Sequence, residues 1–422
     1  MPLPSSLPRV VVPFRGLWAL ALWVVLAGTS TQAQTPPETA TPAEHPASDI
    51  SVSAEPGKGI TFHAGDRFSL QLRARIQYQV ALLSPTDPAV EAGASEVLTT
   101  ESQIRRFRLV LAGHAFRPEL RYYIQLGLAT RDMESDLLVP LRDAYITWQP
   151  HRDLGVRFGQ MKVPYGQQRV VSSSALQFVD RSIVTGEFSL DRDVGVYLMS
   201  EDFLGLGGRL MYQAGVFGGR GRNRTGGPNA ALLVFRAQVN PFGAFDHLVE
   251  ADLSRGDKPR LALGLSSAYN LASNRTRSTH GGVYTAGNFG FRHLGADLHF
   301  KWKGLSVLSE LFDRKADEAQ LTSEPTPGRP VTDFSRSGRG YFVQAGYMLP
   351  FPLEVAARFG EIRPSRGNAQ EAGFQTQREL GGAVSYYFAE HALKLQADYF
   401  RLFGQEAQAE RNQFRLQAQL FY

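Results

Sequence analysis

Arginines recur at alternate positions along several apolar segments of this chain. Arg73 and Arg75 close the run Phe68-Ser-Leu-Gln-Leu-Arg-Ala-Arg75. Arg106 and Arg108 alternate with Phe107, Leu109 and Leu111, Arg121 stands between Leu120 and Tyr122, and Arg157 between Val156 and Phe158. In extended chain, residues two apart point the same way, so each pair forms a line of charge. A guanidinium is a planar fork that grips carboxylate or phosphate oxygens in pairs. Among the 45 basic residues only Lys58, Lys162, Lys258, Lys301, Lys303, Lys315 and Lys394 are lysine. The chemistry this suggests is oxyanion capture. Other chemistry has less support. Cysteine is absent, which removes thiol nucleophiles, thiolate metal sites and disulfides. His293, Asp297 and His299 share a strand face, but the two histidines would stand ~20 Å apart. Gly218-Gly-Arg-Gly221 has no helix behind it, so a phosphate loop is not supported. No catalytic residue, metal ligand or cofactor is expected, and the chain is not read as an enzyme.

The elements that carry these arginines alternate with period two. From Phe68 onward about sixteen such segments follow: 68–82, 104–115, 119–130, 141–149, 154–162, 192–200, 208–218, 231–240, 260–270, 289–302, 304–314, 340–350, 353–361, 377–388, 391–403 and 410–422. In the first, Leu70, Leu72, Ala74, Ile76, Tyr78, Val80 and Leu82 form one face. Gln71, Arg73, Arg75, Gln77 and Gln79 form the other. The last ends Phe414-Arg-Leu-Gln-Ala-Gln-Leu-Phe-Tyr422, apolar on one face and polar on its opposite. Soluble strands are nearer ~5–6 residues, whereas a tilted membrane strand needs ~9–11. A charge facing lipid costs ~2–4 kcal/mol near the midplane, so the apolar faces turn outward and the arginines inward. The fold class expected is all-β: a transmembrane antiparallel β-barrel of about 16 strands with long external loops. Long links alternate with short ones, as hairpins at the two ends of a barrel require. The link 241–259 is long where a short turn is due, and is read as an ordered turn.

Strands one to five would then form an arginine-rich, acid-poor wall. Later inward arginines (Arg209, Arg236, Arg358, Arg415) come with inward acids (Asp297, Glu310, Glu354, Asp398). Residues 1–33 read as a secretory signal, with basic Arg9 and Arg15 before the apolar Leu17–Ala27. Residues 34–57 read as a flexible Pro/Thr-rich leader, and 58–422 as the barrel. The net charge of +5 falls to +3 without Arg9 and Arg15. Because the arginines are dispersed along strands and do not cluster in a basic helix or tail, nucleic acid is not an expected partner. An exported, cysteine-free barrel belongs in the outer membrane of a Gram-negative bacterium, in contact with its lipid and lipopolysaccharide.

Residues 158–183 carry a family resemblance. Phe158-Gly159, Tyr165-Gly166, Arg169, Ser172-Ser173 and Asp180-Arg181 resemble the third-loop pattern of the phosphate-selective porin O/P family. Ile104-Arg105-Arg106, Asp191-Arg-Asp-Val-Gly195, Gly215-Val-Phe-Gly-Gly219 and Gly346-Tyr347 fit as well. The resemblance implies a homotrimer of sixteen-stranded porins, each with a third loop folded inward to a basic constriction. By position, Arg75, Arg105, Arg106, Arg121, Arg157 and Arg181 match its ladder or constriction cations. Arg169 replaces a lysine of phosphate-specific members, and Arg142 stands where one of two acids is found. Both changes keep or add positive charge. They loosen the inference to phosphate itself, since lysine is a point charge and arginine a fork.

The function expected is passive anion diffusion, with phosphate or similar oxyanions leading. Arg75, Arg106, Arg121, Arg157 and Arg169 would attract and relay the anion, and Arg181 would hold the third loop through Asp180 or another acid. Arg105 has the wrong parity for the lumen, so an outer-rim position against lipid phosphates stays open. A general porin with weak anion bias, or a closed scaffold or surface enzyme, are the alternatives.

Overall fold

The computed structural model describes residues 50–85, 98–134, 137–225, 227, 229–365, 374–404 and 411–422. The expected signal and residues 34–49 of the expected leader lie outside them. Twenty strands are described: β1 (Ile50–Glu55), β2 (Gly59–Ala64), β3 (Phe68–Pro85), β4 (Thr99–Ala115), β5 (Arg117–Gly127), β6 (Leu141–His151), β7 (Leu154–Lys162), β8 (Arg192–Ser200), β9 (Leu210–Phe217), β10 (Leu232–Val239), β11 (Arg260–Ser273), β12 (Phe289–Trp302), β13 (Leu305–Ala316), β14 (Gln320–Thr326), β15 (Arg329–Phe334), β16 (Gly338–Met348), β17 (Leu353–Pro364), β18 (Gln377–Ala389), β19 (Leu393–Gly404) and β20 (Arg411–Phe421).

Sixteen of these, β3–β13 and β16–β20, pair antiparallel with their neighbours. The last closes on the first, with Leu416 opposite Val80 and Ala418 opposite Tyr78. Closure leaves no sheet edge for lipid to meet. Alternation sorts the side chains as the pleat demands. On β16, Tyr341, Val343 and Tyr347 are exposed while Phe342 and Gln344 between them are buried. The two-residue hairpin between β12 and β13 turns on Lys303 and Gly304, both at positive φ (50° and 93°). That is the geometry a two-residue reverse turn with right-handed strand twist needs.

Two hairpins lie beyond the sixteen expected strands. β1 and β2 pair with each other, and β2 continues onto β3. Residues 50–55 of the expected leader therefore carry regular structure. β14 and β15 form a separate hairpin within the loop after β13. Residues 241–259 contain no strand, as expected of an ordered turn.

The segment 163–191 leaves β7 at the long-loop end and fills part of the lumen. It carries two short helices, α1 (Gln167–Val170) and α2 (Ile183–Phe188). Ser182 caps α2 by accepting from the Val184 N–H at 3.1 Å, which meets one orphan donor of the helix start. Val163, Tyr165, Val184, Phe188 and Leu190 bury against Leu308, Phe312, Phe342 and Ile362 of β13, β16 and β17. Those wall residues face inward and are buried, so the loop meets a dry, apolar patch on this wall. Burial of this apolar surface is what draws the loop in.

Candidate functional site: a cation-lined cavity beside the inward loop

The dry wall also holds the loop through its backbone N–H groups. Glu310 of β13 accepts from the N–H groups of Gln167 and Gln168, at the start of α1. Asp398 of β19 accepts from Val179 at 3.1 Å, and Glu379 of β18 from Ile183 at 3.2 Å. Glu250, from the turn 241–259, accepts from Gln177 at 2.8 Å. Of the acids expected to balance the later arginines, Asp297 pairs with Arg236 at 2.5 Å and Asp398 with Arg415 at 2.7 Å. Arg358 pairs with Glu379 at 3.1 Å. The asymmetry foreseen between the two walls is present, but the acids on this side do double duty as loop anchors. Arg209 is exposed in the turn before β9 and takes no part.

Opposite the dry wall, a cavity of about 1180 Å³ runs along β4–β9 and the near edge of the loop. Its lining extends from Arg131, Glu134 and Arg222 at the long-loop end to Glu201, Met211 and His247 at the short-turn end. Thirteen arginine or lysine side chains line it against six aspartates or glutamates. The cavity therefore carries a positive excess even before any single pair is considered.

Arg105 enters this cavity by a β-bulge. The β3–β4 register runs Gln77 opposite Arg106, then Tyr78 opposite Ile104, leaving Arg105 as the extra residue. A bulge lets two residues face one partner and re-aims a side chain. Arg105 and Arg106 consequently reach the same carboxylate, Asp180, at 2.7 and 2.8 Å. The outer-rim position for Arg105 is thus excluded. Burial alone would raise the Asp180 carboxyl, but Arg105, Arg106 and Arg415 outweigh it and hold it well below the usual range.

Higher in the cavity, Arg108 binds Asp132 at 2.6 Å. The Asp132 carbonyl accepts from Arg142 at 2.6 Å and Arg222 at 2.8 Å. Arg192 grips Asp143 with two nitrogens at 2.9 and 3.0 Å. Arg169 and Arg192 share Asp191. Burial opposes ionisation of Asp191, and Arg169, Arg192 and Arg142 reverse that, keeping it well below its usual range.

Lys162 and Arg181 stand apart from these pairs. Lys162 donates to the carbonyls of Val170 and Val171 at 2.7 and 3.1 Å. Arg181 donates to the carbonyls of Gln168 and Val171 at 3.0 and 2.6 Å. Neither has a carboxylate within 4.0 Å among the described residues. Two cations thus converge on the C-terminal carbonyls of α1, where the helix end is electronegative. Burial, then Arg169 and Arg106, press the proton affinity of Arg181 well below that of an ordinary arginine. Arg181 was expected to hold the loop through Asp180 or another acid; instead it contacts loop carbonyls, and Asp180 is engaged by Arg105 and Arg106.

Five of the seven expected site residues, Arg105, Arg106, Arg157, Arg169 and Arg181, line the cavity. Arg75 does not. It is buried behind the loop, donating to Ser172 and Ser173 at 3.4 and 2.9 Å, and acts as a brace. Arg121 does not either. It is exposed near the short-turn end and donates to Gln149 at 2.9 Å. Arg157 packs over Tyr145 and Tyr197 and donates to Thr147. Lys162 was missed as a site residue because it shares the parity of lipid-facing Phe158; as the last residue of β7 it turns inward with the loop. Arg192 was visible only as part of the motif beginning at Asp191.

Comparison with known proteins agrees with this architecture. The sequence profile of the family described as phosphate-selective porin O and P matches residues 70–422. A relative from Aquifex aeolicus, named only as an uncharacterized protein, is 26% identical over 242 residues, 52% of this chain and 53% of its own length. The chain thus aligns with about half of that relative. An anion-selective porin from Comamonas acidovorans superposes with a TM-score of 0.52 at 11% identity, covering 84% of this chain and 100% of its own. The trimer form of OmpT, an outer-membrane protein of Vibrio cholerae, superposes with a TM-score of 0.50 at 12% identity, covering 85% and 100%.

Proposed function

This chain belongs to the phosphate-selective porin O and P family, and from that premise we propose that it is a passive outer-membrane channel selective for anions, with phosphate and similar oxyanions as substrates. The family and the closed barrel point to a channel and not to an enzyme. The observation that carries the reading is the pair Lys162 and Arg181, held by backbone carbonyls and not by carboxylates. An ammonium has three donors. Lys162 uses two of them on the loop and keeps one for the cavity. Arg106 and Arg169 flank the pair, each sharing its acid with another arginine.

The magnitudes suit a channel. A unit charge 4 Å from an anion contributes about 1 kcal/mol in water and about 4 at an effective dielectric of 20. Two or three such cations, less the desolvation of the anion, give roughly millimolar to micromolar occupancy. That is strong enough to capture and weak enough to release. By likeness to the trimeric form of OmpT and to its own family, the protein is proposed to be a homotrimer embedded in outer-membrane lipid and lipopolysaccharide.

The test is purified protein in planar bilayers, with chloride as the current carrier and inorganic phosphate added. The reading predicts an anion-biased reversal potential and a chloride current that phosphate blocks. A current indifferent to phosphate reduces the protein to a general porin. Absence of conductance makes it a closed scaffold.

A further inference from the structure

Below the constriction the cavity changes character. Tyr123 of β5, Tyr145 of β6, Arg157 of β7 and Tyr197 of β8 occupy neighbouring strands at one level. Tyr123 lies directly opposite Tyr145, and Arg157 directly opposite Tyr197, in the strand register. The rings of Tyr123 and Tyr145 stack with centroids 5.1 Å apart and planes 15° from parallel. The Arg157 guanidinium lies 4.6 Å from the Tyr145 centroid and 5.5 Å from that of Tyr197. All four side chains line the cavity, and Met211 lines it on the next strand. No carboxylate lies within 4.0 Å of Arg157 among the described residues; its Nε is held by the Thr147 hydroxyl at 2.8 Å.

The constriction and this belt therefore offer different surfaces. Around Lys162 and Arg181 the partners are carbonyls, and the neighbouring lining is serines, other cations and the aspartates those cations share. Around Arg157 they are aromatic rings, the Thr147 hydroxyl and a thioether, with Glu201 as the acid on the short-turn side. Lys162 is five residues further along β7, so the two stations are ~16 Å apart at strand rise. A small inorganic anion can use the tyrosine hydroxyls but gains nothing from the aromatic faces and edges, which offer no N–H or O–H donor. An anion carrying an aromatic body gains at both ends. Its charged head meets a guanidinium, and its ring meets tyrosine edges. Tyr145 has Tyr123 on one face and Arg157 on the other, so the contact available is edge-to-face, a favourable aromatic geometry.

We propose that this belt is a second anion station, and that it makes the channel favour aromatic oxyanions, such as aryl carboxylates and aryl phosphates, over inorganic phosphate. Arg157 binds the charged head, and Tyr145, Tyr197 and Met211 bind the ring. This deepens the channel reading and rests on it.

Three probes with one head group test it: inorganic phosphate, methyl phosphate and phenyl phosphate, each titrated as a blocker of chloride current through the intact protein in planar bilayers. Phenyl phosphate is expected to block at a concentration about three- to ten-fold below that of methyl phosphate, the scale of one aromatic contact. Tyr197→Leu is expected to abolish that difference, and Tyr197→Phe to retain it. Equal block by phenyl and methyl phosphate in the wild-type protein overturns the belt's role while the anion channel stands. Lack of block by all three, with no anion bias in the reversal potential, overturns the belt and the channel reading together.

Discussion

The carboxylate of Glu250, in a turn at the short-turn end of the barrel, accepts a hydrogen bond from the backbone N–H of Gln177, in the constriction loop, at 2.8 Å. The same carboxylate accepts from the side chains of Gln168 and Gln344 at 3.1 and 3.0 Å. The turn that breaks the alternation of long and short links is therefore a prop. It rises into the lumen from below and meets a loop that descends from above. Val249 packs beside Val171, Ala175 and Leu176 at that meeting point. Glu250→Ala leaves the buried Gln177 N–H without its acceptor, at a cost of ~1–3 kcal/mol. The barrel wall does not depend on that bond. Single-channel traces of this variant are expected to show larger, noisier open currents with little change in thermal stability; traces superimposable on wild type would refute the prop.

Asp180 restrains two of the cavity's cations, binding Arg105 and Arg106 at once. Asp180→Asn removes one negative charge and releases two guanidinium groups into the cavity. Anion preference should rise, seen as a reversal potential displaced further toward the chloride equilibrium value. A displacement toward the cation value would mean that the two arginines depend on Asp180 for their position.

Arg105 and Arg121 have exchanged the roles their parity suggests. Arg105→Gln is expected to lower anion preference, because the bulge places its charge on the cavity. Arg121→Gln is expected to leave it near wild type, because Arg121 is exposed near the short-turn end. Measuring both variants in the same salt gradient checks the assignment. Equal effects would contradict it.

Acid should disturb the loop late. Glu187 of α2 binds Arg314, Arg277 and Arg336 at 2.5, 2.8 and 3.0 Å. Burial would raise its carboxyl, but Arg314, Arg277 and Arg336 bring it down to about 2 from an ordinary 4.5. A group with a depressed native pKa stabilises fully above its unfolded pKa, and the contribution fades as pH falls through the native value. Conductance and anion preference should therefore hold from pH 7 to about 4.5 and decline only toward pH 2. Glu187→Ala, which takes the carboxylate away from fully buried Arg314, should cost ~3–5 kcal/mol at neutral pH. Heat-induced unfolding followed at pH 7 and pH 3 measures both. A wild-type transition near pH 4.5 would show that Glu187 titrates as an ordinary glutamate.

The barrel was legible because a membrane strand must sort every residue by side. Lipid on one face and water on the other impose period two, and Tyr341, Val343 and Tyr347 obey it without exception. Legibility failed wherever the chain departs from a regular pleat. The position of Arg105 stayed open because a bulge resets parity and leaves no local mark in composition. Lys162 was overlooked because strand parity ceases to apply where β7 bends into the loop. Arg75 and Arg121 do face inward, yet lumen-facing and pore-lining are different things once a loop fills part of the lumen. The hairpin at Ile50–Ala64 was partly hidden in a leader rich in proline and threonine. The inward course of residues 163–191 came from family resemblance; no periodicity announces that Phe312 and Phe342 offer an apolar inner wall.

The central claim is that cations without carboxylate partners set ionic preference at the constriction. The most direct measurement is the zero-current potential across a bilayer under a potassium chloride gradient, for wild type and for Lys162→Glu. The account predicts an anion-selective wild type and a variant shifted strongly toward cations. A wild type that prefers potassium, or a Lys162→Glu variant with unchanged potential, would contradict it.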